Sequence, residues 1–198
     1  TLLDGLPGRA ELEAKLKPLL EVSTVGKPEM RGDRYFYARR EGRQNQPVWY
    51  WRTGARGEER VLLDPAKVDE SGLTAIEWLE PSDDGRLAAW GSYRAGDENT
   101  ELRLLEVETG RALPDVIPDK VRGIDWLPDG SGFFYRNLSQ AANPYSGQVR
   151  FHRLGDPVEK DRLVLRQLTP EEDARLATTY GPYQFLSEDG RWLGLVYY

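Results

Sequence analysis

From about residue 30 onward, hydrophobic residues occur in short runs that alternate with polar positions and end at Gly, Asp or Pro. Aromatic and β-branched residues are frequent in these runs, which is typical of β-strands. Many short strands at even spacing predict a sandwich, a barrel or a propeller. The predicted strands are 34–40, 47–52, 60–64, 76–79, 86–93, 101–107, 111–116, 121–126, 132–137, 148–154, 162–167, 183–186 and 191–198.

Helical periodicity precedes this region, at residues 9–20. Leu12, Leu16 and Leu19 or Leu20 recur at helical spacing, with Glu and Lys between them. Pro18 is expected to stop or kink the helix after about two turns. Because so short a helix is marginal in isolation, we expect Leu12 and Leu16 to pack against a partner.

An internal repeat favours the propeller. An apolar run, an acidic turn ending in glycine and a second apolar run recur around Gly85, Gly130 and Gly190, with a weaker copy at Gly32. Intervals of 45 and 60 residues leave room for four strands each, the content of one blade. The predicted fold class is all-β: a partial β-propeller of about three and a half four-stranded blades, preceded by a short N-terminal helix.

The repeat also gives the limits of the blades. Blade 1 is predicted near 30–70, blade 2 near 75–118, blade 3 near 121–168, and the opening of blade 4 from 181. The long interval before Gly190 predicts an inserted loop in blade 3, at 138–147.

Composition and charge exclude several classes of function. The net charge is -6 and the pI about 5.0, with acidic and basic residues interspersed. This argues against binding to nucleic acid or to an anionic membrane surface. With no Cys and one His, the chain cannot form disulfides, and we expect no metal site and no cofactor. No apolar stretch approaches the roughly 20 residues of a membrane span.

Few residues are candidates for catalysis. No Gly-x-Ser-x-Gly nucleophile elbow occurs, and Gly130-Ser131-Gly132 lies in a blade turn. As a catalytic base, His152 would need a nucleophile and an orienting acid, and the sequence indicates neither, so we interpret it as an ordinary strand residue. The acidic pairs Asp83–Asp84 and Glu188–Asp189 directly precede repeat glycines, which favours a turn role over glycosidase-type catalysis. We therefore assign no catalytic residue, and substrate-binding residues remain unassigned.

Three further features have a structural and a functional interpretation. Arg31-Gly32-Asp33 spells a cell-adhesion tripeptide but coincides with the turn before a predicted strand. Asn137-Leu138-Ser139 is a glycosylation sequon, which matters only in a secreted eukaryotic chain. Five tryptophans on predicted strands are expected to pack between blades rather than stack on a ligand. They are Trp49, Trp51, Trp78, Trp90 and Trp126.

Several segments resemble the amino-terminal propeller of prolyl oligopeptidases. Their order and spacing match along essentially the whole chain, and the Gly-x-Gln-Asn-Gln and Leu-Leu-Asp-Pro segments are fairly specific. The early helix also resembles the family's amino-terminal segment. The matching segments are 34–37, 42–46, 48–50, 61–65, 82–88, 108–110, 113–116, 126 and 132–135.

This resemblance implies a seven-bladed propeller over an α/β-hydrolase domain that cleaves peptides after proline. The Ser, Asp and His triad would lie downstream, and the propeller would exclude folded proteins by size. Two side chains that contact peptide in the family do not match here. Val121 stands where an aromatic is expected, and Tyr197 and Tyr198 stand where an arginine is expected. We therefore transfer no substrate contact.

The predicted domains are 1–24, a helical segment that packs on a peptidase domain, and 25–198, the partial propeller. The chain is expected to be a non-catalytic part of a serine peptidase. Its expected partners are the peptidase domain and, through that domain, peptide substrates. The expected location is the cytoplasm, or the periplasm if an upstream signal was removed. The alternative is a stand-alone interaction module. Because blades normally bury both flat faces, the open faces predict self-association.

Overall fold

The alternating segments form an all-β structure with a short helix before it, which confirms the predicted fold class. The computed structural model describes residues 2–140 and 142–197. Its α-helices are α1 (Arg9–Leu20) and α2 (Pro65–Val68). The strands are β1 (Thr24–Val25), β2 (Glu29–Arg31), β3 (Arg34–Arg40), β4 (Val48–Thr53), β5 (Arg60–Leu63), β6 (Thr74–Pro81), β7 (Leu87–Arg94), β8 (Glu101–Glu106), β9 (Ala112–Ile117), β10 (Ile124–Trp126), β11 (Gly132–Leu138), β12 (Gly147–Arg153), β13 (Arg162–Arg166), β14 (Tyr183–Leu186) and β15 (Leu193–Val196).

These strands form antiparallel sheets that follow one another along the chain. In blade 1, β3, β4 and β5 pair in order, and the short β1 and β2 both pair with β3. Blade 2 is β6–β7–β8–β9, blade 3 is β10–β11–β12–β13, and β14 pairs with β15 to open blade 4. Consecutive meanders of four strands are the repeating unit of a propeller.

The repeat glycines permit the tight turn between the first two strands of blades 2, 3 and 4. Gly85, Gly130 and Gly190 have φ values of +65°, +69° and +68°, a left-handed conformation that glycine adopts without strain. Each glycine amide donates to the carbonyl oxygen three residues earlier, at 2.8–2.9 Å. Gly32, with φ of +58°, occupies the corresponding turn between β2 and β3.

Hydrophobic cores lie between neighbouring blades. The core between blades 1 and 2 includes Phe36, Trp51, Leu79, Trp90 and Leu105. The core between blades 2 and 3 includes Leu102, Ile117, Trp126, Phe133 and Tyr135. Because each blade presents one face to the next, the alternation along its strands places large side chains on both faces.

Helix α1 covers the predicted helical stretch, with Pro18 inside it. It continues through Pro18 to Leu20, and the amide of Glu21 still donates to the carbonyl of Lys17 at 3.2 Å. Of the two effects expected of Pro18, a stop or a kink, the stop does not occur at this residue. Because Pro18 lies near the C-terminal end, its missing amide removes only one helical hydrogen bond, and few residues follow it.

Three short elements of blade 1 were not predicted: β1, β2 and α2. Blade 1 consequently begins at Thr24 instead of near residue 30. The one-turn helix α2 begins after Asp64, whose carboxylate accepts a hydrogen bond from the amide of Ala66 at 3.0 Å. Pro65 occupies its first helical position, where the missing amide removes no helical bond.

Candidate functional site

The strands β2, β6, β10 and β14, one from each blade, lie next to one another. Arg31 on β2 donates a hydrogen bond to Glu80 on β6 at 3.1 Å. The indole of Trp126 on β10 donates to the carbonyl oxygen of Glu80 at 3.2 Å. The amide of Leu186 on β14 donates to Asp125 on β10 at 3.4 Å. These contacts identify β2, β6, β10 and β14 as the innermost strands, which face the propeller axis.

The inner strands carry a cluster of charged side chains around Arg31. Its guanidinium forms ion pairs with Glu29 on its own strand and with Glu80 on the next blade, and Asp83 lies 3.9 Å away. Only 26 % of the Arg31 side chain is exposed, so these carboxylates replace much of its hydration. This inner-strand cluster, comprising Glu29, Arg31, Glu80 and Asp125, is the candidate functional site.

The carboxylates of this cluster are unequal acids. Burial, with a contribution from the neighbouring Glu29 carboxylate, raises the pKa of Glu80 to about 7, although Arg31 opposes the shift. Burial also raises the pKa of Asp125, against the hydrogen bonds that it accepts from Gln184 and Leu186. Both shifts have the sign expected when a carboxylate loses water without full compensation.

Chemically, the inner-strand cluster can bind polar or charged groups. Its members are three carboxylates and one guanidinium, which accept and donate hydrogen bonds but include no hydroxyl or thiol nucleophile for acyl transfer.

The paired acids from the sequence lie in the blade turns. Asp84 accepts hydrogen bonds from the Ser82 hydroxyl at 2.8 Å and from the amide of Arg86 at 3.0 Å. Asp189 accepts the equivalent bonds from Ser187 at 2.7 Å and Arg191 at 3.1 Å. Because the same pattern recurs in two blades, these aspartates stabilise the turn backbone.

His152 lies between two carboxylates that the sequence analysis did not identify. Its Nδ1 is 2.7 Å from Asp161 and its Nε2 is 3.0 Å from Asp115. The interpretation of His152 as an ordinary strand residue without an orienting acid is therefore incomplete. Asp115 is 37 positions away in the chain, so spacing gives no signal of the contact. Since carboxylates occupy both nitrogens, neither is free to activate a hydroxyl.

All five tryptophans singled out in the sequence pack at blade interfaces. Trp51 and Trp90 belong to the core between blades 1 and 2, with Trp49 packed against it. Trp126 belongs to the core between blades 2 and 3, with Trp78 packed against it. These positions favour inter-blade packing over ligand stacking.

Two short motifs are engaged in internal contacts. Arg31-Gly32-Asp33 spans the β2–β3 turn, and its arginine is paired within the inner-strand cluster. Asn137 of the sequon is 5 % exposed and accepts a hydrogen bond from Gln148 at 3.0 Å. Gly32 and Asp33 are exposed in this turn, whereas the arginine of the tripeptide and the asparagine of the sequon are held by internal contacts.

The residues at the two positions that differ from the family's peptide contacts make contacts within the chain. Val121 is fully buried in the core between blades 2 and 3. The hydroxyl of Tyr197 donates to the carbonyl oxygen of Arg166. Tyr198 lies outside the described residues.

Within residues 2–140 and 142–197, no group of three or more His, Cys, Asp or Glu side chains is arranged to hold a metal ion. In the same part of the chain, no helix is long and apolar enough to cross a membrane.

Comparison with protein families identifies the blades. The family model described as "Prolyl oligopeptidase, N-terminal beta-propeller domain" matches residues 1–196. The chain belongs to the prolyl oligopeptidase family. Within this family it corresponds to the N-terminal propeller region, as the resemblance in the sequence had indicated.

Individual relatives support the same assignment. The chain is 30% identical over 171 residues to the prolyl endopeptidase of Elizabethkingia meningoseptica, covering 82% of this chain and 24% of that protein. It is 31% identical over 150 residues to dipeptidyl aminopeptidase BI of Pseudoxanthomonas mexicana, covering 67% of this chain and 21% of that protein. The chain thus spans about a quarter of the length of these relatives.

Solved structures of the family have the same fold. A structure from a study of two prolyl endopeptidases superposes with a TM-score of 0.87 at 30% identity, covering 99% of this chain and 29% of that one. Prolyl oligopeptidase B from Galerina marginata, bound to a 35mer substrate, superposes with a TM-score of 0.80 at 18% identity. The second similarity concerns the fold alone.

Proposed function

We propose that this chain is the substrate-gating, non-catalytic propeller portion of a serine peptidase that cleaves short peptides after proline. The match of residues 1–196 to the family's N-terminal propeller carries this proposal. The expected cleavage after proline is taken from the relative named prolyl endopeptidase, of whose length the chain covers 24%. The catalytic Ser, Asp and His belong to an α/β-hydrolase domain elsewhere in the full protein.

The proposed division is a helical segment over residues 1–24 and the partial propeller over 25–198. The leucines of α1 support a packing role for the first segment, because Leu12 is 58% and Leu16 is 45% exposed on one helix face. Such a stripe on a short helix needs an apolar partner. We propose that the peptidase domain is this partner.

The segment that follows α1 is hydrogen-bonded to blade 1, at β3 and the β3–β4 turn. The helix therefore leaves the propeller at this edge of blade 1. Arg40 on β3 donates to the carbonyl oxygens of Leu20 at 2.9 Å and Val22 at 2.8 Å. The amide of Gly42 donates to the Ser23 hydroxyl at 3.1 Å. The β3–β4 turn therefore lies on the face of the propeller that we propose meets the peptidase domain.

Gating follows from the position of the inner strands. A ring of blades leaves only a narrow axial opening, so folded proteins are too wide to pass while extended peptides can enter. Here the inner-strand cluster provides charged and hydrogen-bonding groups beside that opening. We propose that peptide substrates reach the peptidase domain past these side chains.

We also propose that copies of this chain associate through the open faces of blades 1 and 4. On the face of blade 1 turned away from blade 2, Met30 is 58% and Val61 is 51% exposed. On blade 4, Phe185 is 58% exposed. Apolar side chains on the flat face of a sheet favour contact with another sheet.

The second candidate function is a stand-alone interaction module. It is distinguished by the reading frame: we expect the frame to continue after residue 198 into further blades and a Gly-x-Ser-x-Gly segment. A stop codon directly after residue 198 would favour the module and contradict the peptidase assignment. For the cellular location we propose the cytoplasm, since a chain without Cys suits a reducing compartment; the periplasm is the alternative.

A further inference from the structure

Three ionisable side chains meet inside the interface between blades 2 and 3. Asp115 lies on β9 of blade 2, His152 on β12 of blade 3, and Asp161 directly before β13. Their side chains are 3%, 1% and 1% exposed. Water therefore cannot provide the hydrogen bonds that these groups require, and the protein must do so.

The contacts of His152 determine where protons can lie. Both of its ring nitrogens face carboxylate oxygens, Nδ1 at 2.7 Å from Asp161 and Nε2 at 3.0 Å from Asp115. An ionised carboxylate only accepts hydrogen bonds, so both nitrogens have to donate. A neutral imidazole has one N–H, whereas the imidazolium has two.

The remaining groups around the histidine support ionised carboxylates. The hydroxyl of Tyr135 on β11 donates to Asp161 at 2.8 Å, and the amide of Gly155 donates to Asp115 at 2.6 Å. Burial and the Asp161 carboxylate both raise the pKa of Tyr135, which keeps its hydroxyl proton in place. The guanidinium of Arg150 donates to the Asp161 backbone carbonyl at 2.8 Å, adding positive charge beside the site.

We propose that His152 is held as an imidazolium that joins Asp115 of blade 2 to Asp161 of blade 3. The proton makes this buried contact a pH-dependent link between two blades. When the proton is lost, one carboxylate faces a nitrogen lone pair at a buried site, and the interface between the blades is weakened.

The direct test uses the fact that the sequence contains one histidine. Histidine-selective ¹⁵N labelling and a long-range ¹H–¹⁵N spectrum at pH 8 report the protonation of both ring nitrogens without overlap. We expect both to carry protons, although a free imidazole with a pKa near 6.5 is mostly neutral at that pH. A spectrum with one unprotonated nitrogen would overturn the proposal, including the case in which the proton lies on a carboxyl group.

A second test compares the pH dependence of unfolding. The folded state retains a proton that the unfolded histidine releases above its ordinary range, so stability falls as pH rises. Between pH 6 and pH 9 we expect the unfolding equilibrium constant of the wild type to rise at least about thirtyfold more than that of His152→Gln, because an imidazole that is still protonated at pH 8 releases its proton well above the unfolded range. Parallel pH profiles of the two proteins would contradict the proposal.

Tyr135→Phe is the matched control for this comparison. It removes one donor to Asp161 but retains both contacts of the imidazole, so we expect lower stability and a pH dependence that stays clearly larger than that of His152→Gln. If His152→Gln does not fold, the ¹⁵N spectrum of the wild type decides the question alone.

Discussion

Gly91 on β7 lies directly opposite Trp78 on β6. A Cβ atom at this position would lie 2.3 Å from the indole ring, well inside van der Waals contact. The same arrangement recurs in blade 4, where a Cβ on Gly194 would lie 2.0 Å from the ring of Phe185. Glycine on the second strand thus allows an aromatic side chain of the first strand to lie flat on the sheet.

We predict that Gly91→Ala lowers the free energy of unfolding by about 2 kcal/mol. The added methyl group pushes the Trp78 indole off the strand and against the adjacent core between blades 2 and 3, and a close-packed core accepts such a shift only with strain. Urea denaturation followed by tryptophan fluorescence measures the change.

Gly5→Ala is the control, because no atom lies within 4 Å of a Cβ at that position. We expect its effect to stay within about 0.5 kcal/mol. Equal unfolding midpoints for the two variants would show that the Trp78–Gly91 contact is not tight in solution.

Single residues also show the limit of prediction from the sequence. The turn aspartates are recognisable because their partners lie two residues away, as in the Asp84–Arg86 contact. His152 and Arg31 each have one carboxylate partner on another blade, Asp115 and Glu80, at separations of 37 and 49 residues. Only the folded sheet brings them together, so the sequence indicated the turns but missed the buried acid–histidine contact and the inner-strand cluster.

At the scale of elements, strands were predicted more reliably than short irregular pieces. The aromatic run at Arg34–Arg40 and the run at Tyr183–Leu186 coincide with β3 and β14. By contrast, β1 and β2 have two and three residues, too few for a period of two to be visible. They form because β3 offers them a free edge, which is a tertiary effect.

The inner strands lead to a prediction about pH. Glu80 keeps its proton in the folded state up to about pH 7, whereas in the unfolded chain it ionises near pH 4.5. Stability should therefore fall as pH rises through this window. The side chain is 38% exposed, so after discounting for solvent screening we expect a loss of about 1 kcal/mol.

Glu80→Gln should remove this part of the pH dependence, because the amide does not ionise. Urea unfolding midpoints at pH 5 and pH 8 measure it. Glu188→Gln, at an exposed turn position, is expected to keep the wild-type profile. An unchanged difference between pH 5 and pH 8 in Glu80→Gln would contradict the assignment of Glu80 as the titrating group.

At the scale of the whole molecule, each blade interface contains a polar contact between blades, and the first two interfaces also contain an apolar core. Glu108 of blade 2 pairs with Arg34 at 3.3 Å and with Arg60 at 2.5 Å, both on blade 1. His152 contacts Asp115 between blades 2 and 3. The guanidinium of Arg136 on blade 3 donates to the carbonyl oxygen of Pro182, which precedes β14, at 3.0 Å. Polar contacts thus join each blade to the next.

The open faces lead to a prediction about association. Multi-angle light scattering of the purified chain should show a mass above 22.6 kDa that increases with concentration, because the exposed sheet faces bury apolar surface on contact. Phe185→Ser should lower the apparent association. Leu19→Ser, at a 67% exposed helix position, should leave it unchanged. A monomer at all concentrations would exclude contact through the blade faces.

The central claim is that this chain contributes propeller blades to a proline-specific peptidase and no catalytic group. The most direct measurement is turnover of a chromogenic proline-containing peptide by the purified chain and by the product of the extended reading frame. We predict no turnover by the chain, and turnover by the longer product that a serine-directed inhibitor abolishes. Inhibitor-sensitive turnover by the 198-residue chain alone, or none by the longer product, would contradict the account.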